Sequence, residues 1–222
     1  MEAEQFTIRF AEPEDDPAIA ALVVEGFLDK FRPVFGRRMD RSLKIMERWV
    51  DLEHLSGGVT SLVVEGYATS ELAGSVGIRT EASREDVLAR GLWRALARNL
   101  GFPRAVWATT LLSYPRYSSK PSEAYVERLV VSPSFQRQGM ARRLLSAAED
   151  LARDRNKQTI GLHVTADNLR ALRLYESEGY KVVSRQRSLL TAYFLNIREW
   201  LYLNKELTAP CSARVGRRPE RA

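Results

Sequence analysis

The sequence predicts an α/β protein, with a mixed sheet flanked by helices and one pair of parallel neighbouring strands. Three observations carry this. From residue 125 to 180 the pattern runs strand, helix, strand, helix. A strand-helix-strand crossover within one sheet normally makes its two strands parallel. Upstream, Val59 to Val64 and Leu72 to Ile78 form two apolar runs joined around Gly66, the pattern of an antiparallel hairpin. Stretches with helical apolar spacing precede and follow both.

The elements follow in order. Phe6 to Phe10 alternates as a strand does, and Pro13 to Asp16 marks a turn and a helix start. Ile19, Leu22, Val23 and Phe27 then recur at helical spacing. A second helix carries Leu43, Met46 and Val50 on one stripe and stops at Gly57-Gly58. Residues 81–120 interrupt the regularity. Ser83 with Asp86 resembles a helix start. Val87, Leu88, Leu92, Ala95 and Leu96 form an apolar stripe, and Arg90, Arg94 and Arg98 lie on another face. Gly101 stops this helix, and Pro103 opens another through Ala105-Val106-Trp107 that closes before Pro115. This segment is expected to be a helical hairpin inserted between two strands. Tyr125 to Val131 is a strand, and Gly139 to Arg155 a long helix with Met140, Leu144, Ala147, Ala148 and Leu151 on its stripe. Thr159 to Val164 is a strand, Asn168 to Glu178 a helix stopped by Gly179, and Tyr180 to Ser184 and Glu199 to Asn204 are the last strands.

Of 222 residues, 45% are hydrophobic and 28% charged, as in an ordinary soluble globular protein. No linker or repeat divides residues 1–206, so one domain is expected there. The net charge is +6, and residues 207–222 supply half of it through Arg214, Arg217, Arg218 and Arg221 against Glu220. That segment has almost nothing to bury and reads as a disordered basic tail. Four arginines make a weak electrostatic footprint, which argues against nucleic acid as the partner. No stretch approaches the roughly 20 apolar residues that span a bilayer. The acidic start, Met1 to Gln5, is unlike a signal peptide. Cys211 is the sole cysteine, so no intrachain disulfide forms, which fits a cytoplasmic location. His54 and His163 lie far apart without a cysteine cluster, so no metal is expected.

Gln136-Arg137-Gln138-Gly139-Met140-Ala141 is the informative run. It leaves a strand and opens a helix, where unpaired N–H groups and a positive dipole end gather. Gly139 lets an anion approach the backbone, and the small Ala141 keeps the approach open. Arg137, Arg142 and Arg143 add positive charge. Together they read as a pyrophosphate cradle. A loop and helix serving packing alone is the bland alternative.

Tyr125-Val126-Glu127-Arg128-Leu129-Val130-Val131-Ser132-Pro133, followed by Gln136 to Ala141, resembles motif A of the GCN5-related N-acetyltransferase (GNAT) superfamily. Asn168 to Tyr175, ending at Gly179-Tyr180, looks like its motif B. The close match covers about 125 to 184. Residues 6–80 fit only in element order, and the insertion at 81–120 exceeds the family's usual short link.

The resemblance implies a mostly antiparallel sheet whose one parallel pair, strands 125–131 and 159–164, splays apart around acetyl-coenzyme A. Pantetheine would lie in the gap and pair with main-chain groups at Leu129, Val130 and Val131. Gln136 would line the cradle, and the N–H groups of Arg137, Gln138, Gly139, Met140, Ala141 and Arg142 would hold the pyrophosphate. Asn168 stands where the family contacts pantetheine, and Tyr175 where it often has the acid that protonates the departing thiolate. Spacing agrees, since Asn168 and Tyr175 are seven apart, near two helical turns. A helix cap for Asn168 and a packed ring for Tyr175 are the structural alternatives.

An amine acceptor must lose a proton. Glu127, two residues before Leu129, is expected to share its face and serve as base, directly or through water. A carboxylate merely paired with an arginine is the competing reading, and Glu65 and His163 are weaker candidates. The implied function is acetyl transfer from acetyl-coenzyme A to a primary amine of a small molecule, peptide or protein. The alternative is a non-catalytic acyl-coenzyme A-binding module. The stripe on the inserted hairpin is free to roof the acceptor side or to form a homodimer contact.

Overall fold

The computed structural model describes residues 6–66, 71–80, 85–115, 117 and 120–207. Its strands are β1 (Phe6–Phe10), β2 (Val59–Gly66), β3 (Leu72–Arg79), β4 (Glu123–Val131), β5 (Thr159–Thr165), β6 (Lys181–Arg187) and β7 (Glu199–Glu206). Its helices are α1 (Asp16–Gly26), α2 (Leu28–Phe35), α3 (Met39–Ser56), α4 (Glu85–Leu100), α5 (Phe102–Leu112), α6 (Met140–Asp154), α7 (Leu169–Ser177) and α8 (Leu189–Phe194). The strands form one seven-stranded sheet in the order β1-β2-β3-β4-β5-β7-β6. Only β4 and β5 are parallel, and every other neighbouring pair is antiparallel. The expected fold class and the expected parallel pair are both present.

Each face of the sheet carries a core. On one, α6 lays Leu144, Leu145 and Ala148 over Val76, Val126 and Leu162, and Tyr175 joins them from α7. On the other, Ile19, Phe31, Val50, Leu96 and Leu111 from α1 to α5 pack with Val63, Val130 and Trp200. The hairpin of α4 and α5 is therefore part of the second core rather than a cover laid over it. Ser83 and the side chains of Asp86 and Val87 fall outside the described residues, as do Cys211 and the basic tail.

The structure corrects three sequence readings. α2 went unread because Pro33 breaks its pattern, yet it buries Phe31, Val34 and Phe35. α8 is too short for a periodicity, and Ser188 caps it by accepting from the Thr191 N–H. In α3 the buried face is Ser42, Ile45, Val50, Leu52 and Glu53, whereas Leu43 points outward. The expected stripe missed this because α3 packs against α1 on one flank and α4 on another.

Candidate active site

β4 and β5 pair only from Glu123↔Thr159 to Val126↔Leu162. β5 then continues beside β7 as far as Thr165↔Trp200, and β4 continues beside β3 as far as Val131↔Gly74. From Glu127 to Val131, β4 thus has no ladder on its β5 side. The sheet opens there, leaving main-chain groups in need of partners.

The opening begins at a β-bulge. Val126 faces Ile78 and Arg128 faces Gly77, so Glu127 is the extra residue. A bulge increases local twist and bends its strand. It also resets the alternation of faces. Val126 precedes it and Leu129 and Val131 follow it, yet all three pack against the α6 core. Glu127 instead pairs with Arg79 at 2.5 Å, on the side of the sheet where Arg128 meets Glu53. The expectation that Glu127 shares a face with Leu129 and Val131 is corrected, because a strict period of two does not survive a bulge. Burial pushes the Glu127 carboxyl up, and Arg79 opposes that shift.

At the far end of the opening β4 runs through the turn Pro133–Phe135 into α6. Arg137 has φ 65° and Gly139, which caps α6, has φ 81°. Residues in left-handed conformation between helical ones turn successive N–H groups into a concave, anion-binding nest. A Cβ at Gly139 would meet nothing within 4 Å, so the turn faces open space. The first N–H groups of α6 point the same way without helical acceptors. These features fit a diphosphate. Gly139 has a second reason to be glycine, since its φ disfavours any side chain.

Side chains brace this turn. The Gln136 amide donates to the Val131 carbonyl at 3.3 Å and accepts from Arg170 at 3.0 Å. Gln138 donates to the Ser134 carbonyl at 3.3 Å. The Arg142 guanidinium is committed to Glu178 and to Ser177, so its charge ties α6 to the end of α7. That leaves its backbone N–H as the group it could offer an anion at the turn. Met140 is buried beneath the turn and Ala141 is half-buried.

On α7 the Asn168 side chain accepts from the Ala171 N–H at 3.1 Å, so it caps that helix. Tyr175 is buried against Tyr180, with ring centroids 5.9 Å apart. Burial pushes its phenol up to about 12, so the O–H keeps its proton at neutral pH. Tyr175 belongs to the α6 core, and Glu127 lies on the opposite face.

One cluster was missed in the sequence. On the Glu127 face, Tyr117 stacks between Tyr125 and Tyr202, each 4.8 Å away. The hydroxyls of Tyr117 and Tyr202 donate to the buried Glu123 carboxylate, and the Asn204 amide reaches it at 3.3 Å. The Tyr125 hydroxyl lies 2.8 Å from Nδ1 of His163. Burial pushes His163 down to about 4, which keeps it neutral. The available signal was the alternation of Glu123, Tyr125 and Glu127 along one strand face. Gly161 opposite them leaves the space that Tyr202 and Glu123 fill.

A strand pair that parts at a bulge and leads to a glycine turn at a helix start makes an opening suited to an extended cofactor that carries a diphosphate. The profile of the acetyltransferase (GNAT) family matches residues 24–180, and the chain belongs to that family. Over 60 residues it is 40% identical to GCN5-related N-acetyltransferase 4, chloroplastic, of Arabidopsis thaliana, which covers 27% of this chain and 21% of the relative. Over 66 residues it is 38% identical to the ribosomal protein bS18-alanine N-acetyltransferase of Escherichia coli strain K12, covering 30% of this chain and 45% of the relative. The matches thus span less than half of these curated relatives' own lengths.

Solved structures share the fold. A crystal structure described only as that of an acetyltransferase superposes with a TM-score of 0.64 at 23% identity, over 91% of this chain and 100% of that chain. Salmonella typhimurium yncA, solved with its cofactor acetyl-CoA, has a TM-score of 0.58 at 17% identity, over 95% of this chain and 99% of that one.

Proposed function

We propose that this chain is an acetyl-CoA-dependent N-acetyltransferase that delivers an acetyl group to a primary amine of a small molecule, peptide or protein. The observation that carries the reading is the opening between β4 and β5, which leads from Glu127 to the Gly139 turn. The free main-chain edge at Leu129, Val130 and Val131 suits an extended amide-bearing arm, as an added strand would. The N–H groups from Arg137 to Arg142 suit the pyrophosphate, with Gln136 bracing the turn. Asn168 caps α7 and so sets the helix that carries Tyr175.

Bound acetyl-CoA supplies an activated acetyl thioester. The chain's residues do the rest. The Tyr175 O–H donates a proton toward the departing sulfur. Glu127 takes the amine's proton, directly or through water, and its raised carboxyl suits a base. Acid and base lie on opposite faces of the sheet, so a thioester in the opening has one on each side. The acceptor then enters from the Glu127 face, beside Tyr125 and His163. A cytoplasmic location goes with this reading.

A thiol-release assay with acetyl-CoA against a panel of amines and peptides tests it. The bS18-alanine relative makes peptides with an N-terminal alanine the first arm. Acceptor-dependent thiol release is the expected result. Stabilisation of the fold by coenzyme A with no release across the panel would favour a non-catalytic acyl-CoA-binding module.

A further inference from the structure

Two ion pairs lie side by side where β4 leaves β5. The bulge puts the consecutive residues Glu127 and Arg128 on one side of the sheet. Glu127 pairs with Arg79 of β3, and Arg128 pairs with Glu53 of α3. The second pair is enclosed, with Glu53 2% exposed and Arg128 7%. The Arg128 guanidinium also donates to the Ser61 hydroxyl at 2.8 Å, and Glu53 accepts from the Trp49 indole N–H at 2.6 Å. Gly77, the ladder partner of Arg128, makes the room, since a Cβ there would lie 2.7 Å from Nη1.

In strict alternation after Val126, an arginine at 128 would enter the apolar α6 core, where its charge would be desolvated. Glu53 and Ser61 give it partners on the other side, and the bulge takes it there. A buried ion pair gains little stability over well-packed apolar residues, and its best-attested use is to fix one arrangement among competitors. The arrangement fixed here is the bulge at which β4 parts from β5. The pair also sets the charge around Glu127. Among the described residues, Arg79 of β3, Arg128 of β4 and Glu53 of α3 act on that carboxyl, and the Tyr125 phenol is its uncharged titratable neighbour. Beyond them Asp16 of α1, paired with His54 of α3 at 3.0 Å, feels the Arg128 charge. Arg128 favours an ionised Glu127 and Glu53 opposes it. Without its anion, Arg128 would be a second uncompensated cation beside the carboxylate.

We propose, on the base role argued above for Glu127, that Glu53 and Arg128 are positioning residues for acetyl transfer, whose ion pair holds the bulge and keeps the Arg128 charge from the Glu127 carboxylate. Buried as they are, neither reaches the acetyl group or the amine. Glu53 acts through Arg128, and Arg128 acts through the strand it anchors and the charge it carries. A carboxylate flanked by one cation rather than two keeps more of its affinity for the amine's proton.

The test titrates Glu127 in the full chain by carbon NMR of labelled glutamate side chains, with Glu127→Gln assigning the signal. The pH profile of kcat/KM on any accepted amine is measured beside it. Glu53→Gln should move the Glu127 titration, and the acid limb of the profile, down by about 1 pH unit, the low end for a nearby charge. Arg128→Gln should move both up. The double variant, which removes both charges, should return them toward the parent chain. Either single variant that folds therefore tests the sign. Turnover of Glu53→Gln should fall while coenzyme A still stabilises the fold. An unmoved titration in a folded single variant, or the same direction in both, would overturn the proposal, because a purely structural pair predicts no opposed shifts. Parallel loss of coenzyme A stabilisation would do so too, by assigning the pair to the cofactor edge. Full turnover in Glu127→Gln would instead remove the base role, and the catalytic meaning of the pair with it, whatever the titration gives.

Discussion

Tyr125 on β4 and His163 on β5 meet through a 2.8 Å contact between hydroxyl and Nδ1, where the ladder between their strands ends. The contact links the strands at the closed end of the opening. With the tyrosine O–H donating to Nδ1, the ring proton sits on Nε2, which is buried and has no partner among the described residues. Protonating Nδ1 would place a positive charge on this partly buried ring and take away the acceptor that the tyrosine O–H uses.

Stability should therefore fall as the solution is acidified. Burial holds His163 at about 4, below the value of 6.5 expected in the unfolded chain. Between these values the unfolded chain binds a proton that the folded chain refuses, so acid favours unfolding. This group should cost nothing well above pH 6.5 and destabilise progressively below it, by at most about 2 kcal/mol near pH 5, because solvent around the partly exposed ring screens the penalty. Urea unfolding at neutral pH and near pH 5 measures it. His163→Gln should remove this part of the pH slope, and equal slopes in the two proteins would refute the assignment.

Gly139 should be needed for cofactor binding in a way that separates from its role in the fold. A side chain there meets no protein atom but is strained by φ 81°. Gly139→Val should cost about 1–2 kcal/mol of stability from the left-handed backbone. It should also shrink the thermal stabilisation produced by coenzyme A, because the branched side chain would enter the cradle. A lower melting temperature with an undiminished coenzyme A shift would remove the cradle from the account.

The helical hairpin should prove integral to the core. Leu96 of α4 is fully buried, as are Ala105 and Ala108 of α5, and all three belong to the α1–α5 core. Leu96→Ala should cost about 2–5 kcal/mol, the usual range for a buried leucine. Chemical denaturation checks this. A cost below about 1 kcal/mol would mean the hairpin is the loosely attached cover that its stripe first suggested.

What the sequence disclosed and what it hid divide along physical lines. The Gly139 turn and α6 were legible because a glycine, a helix start and an apolar stripe are encoded within about twenty consecutive positions. The face of Glu127 was not, because one bulged residue reverses the alternation and leaves no local mark. The Glu123 cluster stayed hidden for a different reason. Its partners Tyr117, Tyr202 and Asn204 come together only when β7 inserts between β5 and β6. α2 was obscured because Pro33 interrupts its pattern. Asn168 illustrates an intermediate case: its cap was readable from residue type and position, whereas any contact with a ligand was implied only by family resemblance.

Tyr175 is the most exposed of the catalytic assignments to direct test. The departing group is a thiolate, which needs a proton or hydrogen bond as its bond to carbon breaks. Burial pushes the phenol up to about 12, so nearly all molecules carry the proton at neutral pH. A phenol that weakly acidic donates little in a ground state and more as charge builds on sulfur. Tyr175→Phe keeps the ring that packs against Tyr180 and removes only the hydroxyl. Turnover on any accepted amine should fall about 10²–10⁴-fold, the usual range for general acid catalysis. Affinity for coenzyme A, measured alongside, should change far less. Loss of affinity with turnover per bound complex intact would assign the hydroxyl to cofactor binding. Unchanged turnover, with chemistry shown to be rate-limiting, would leave water to protonate the sulfur.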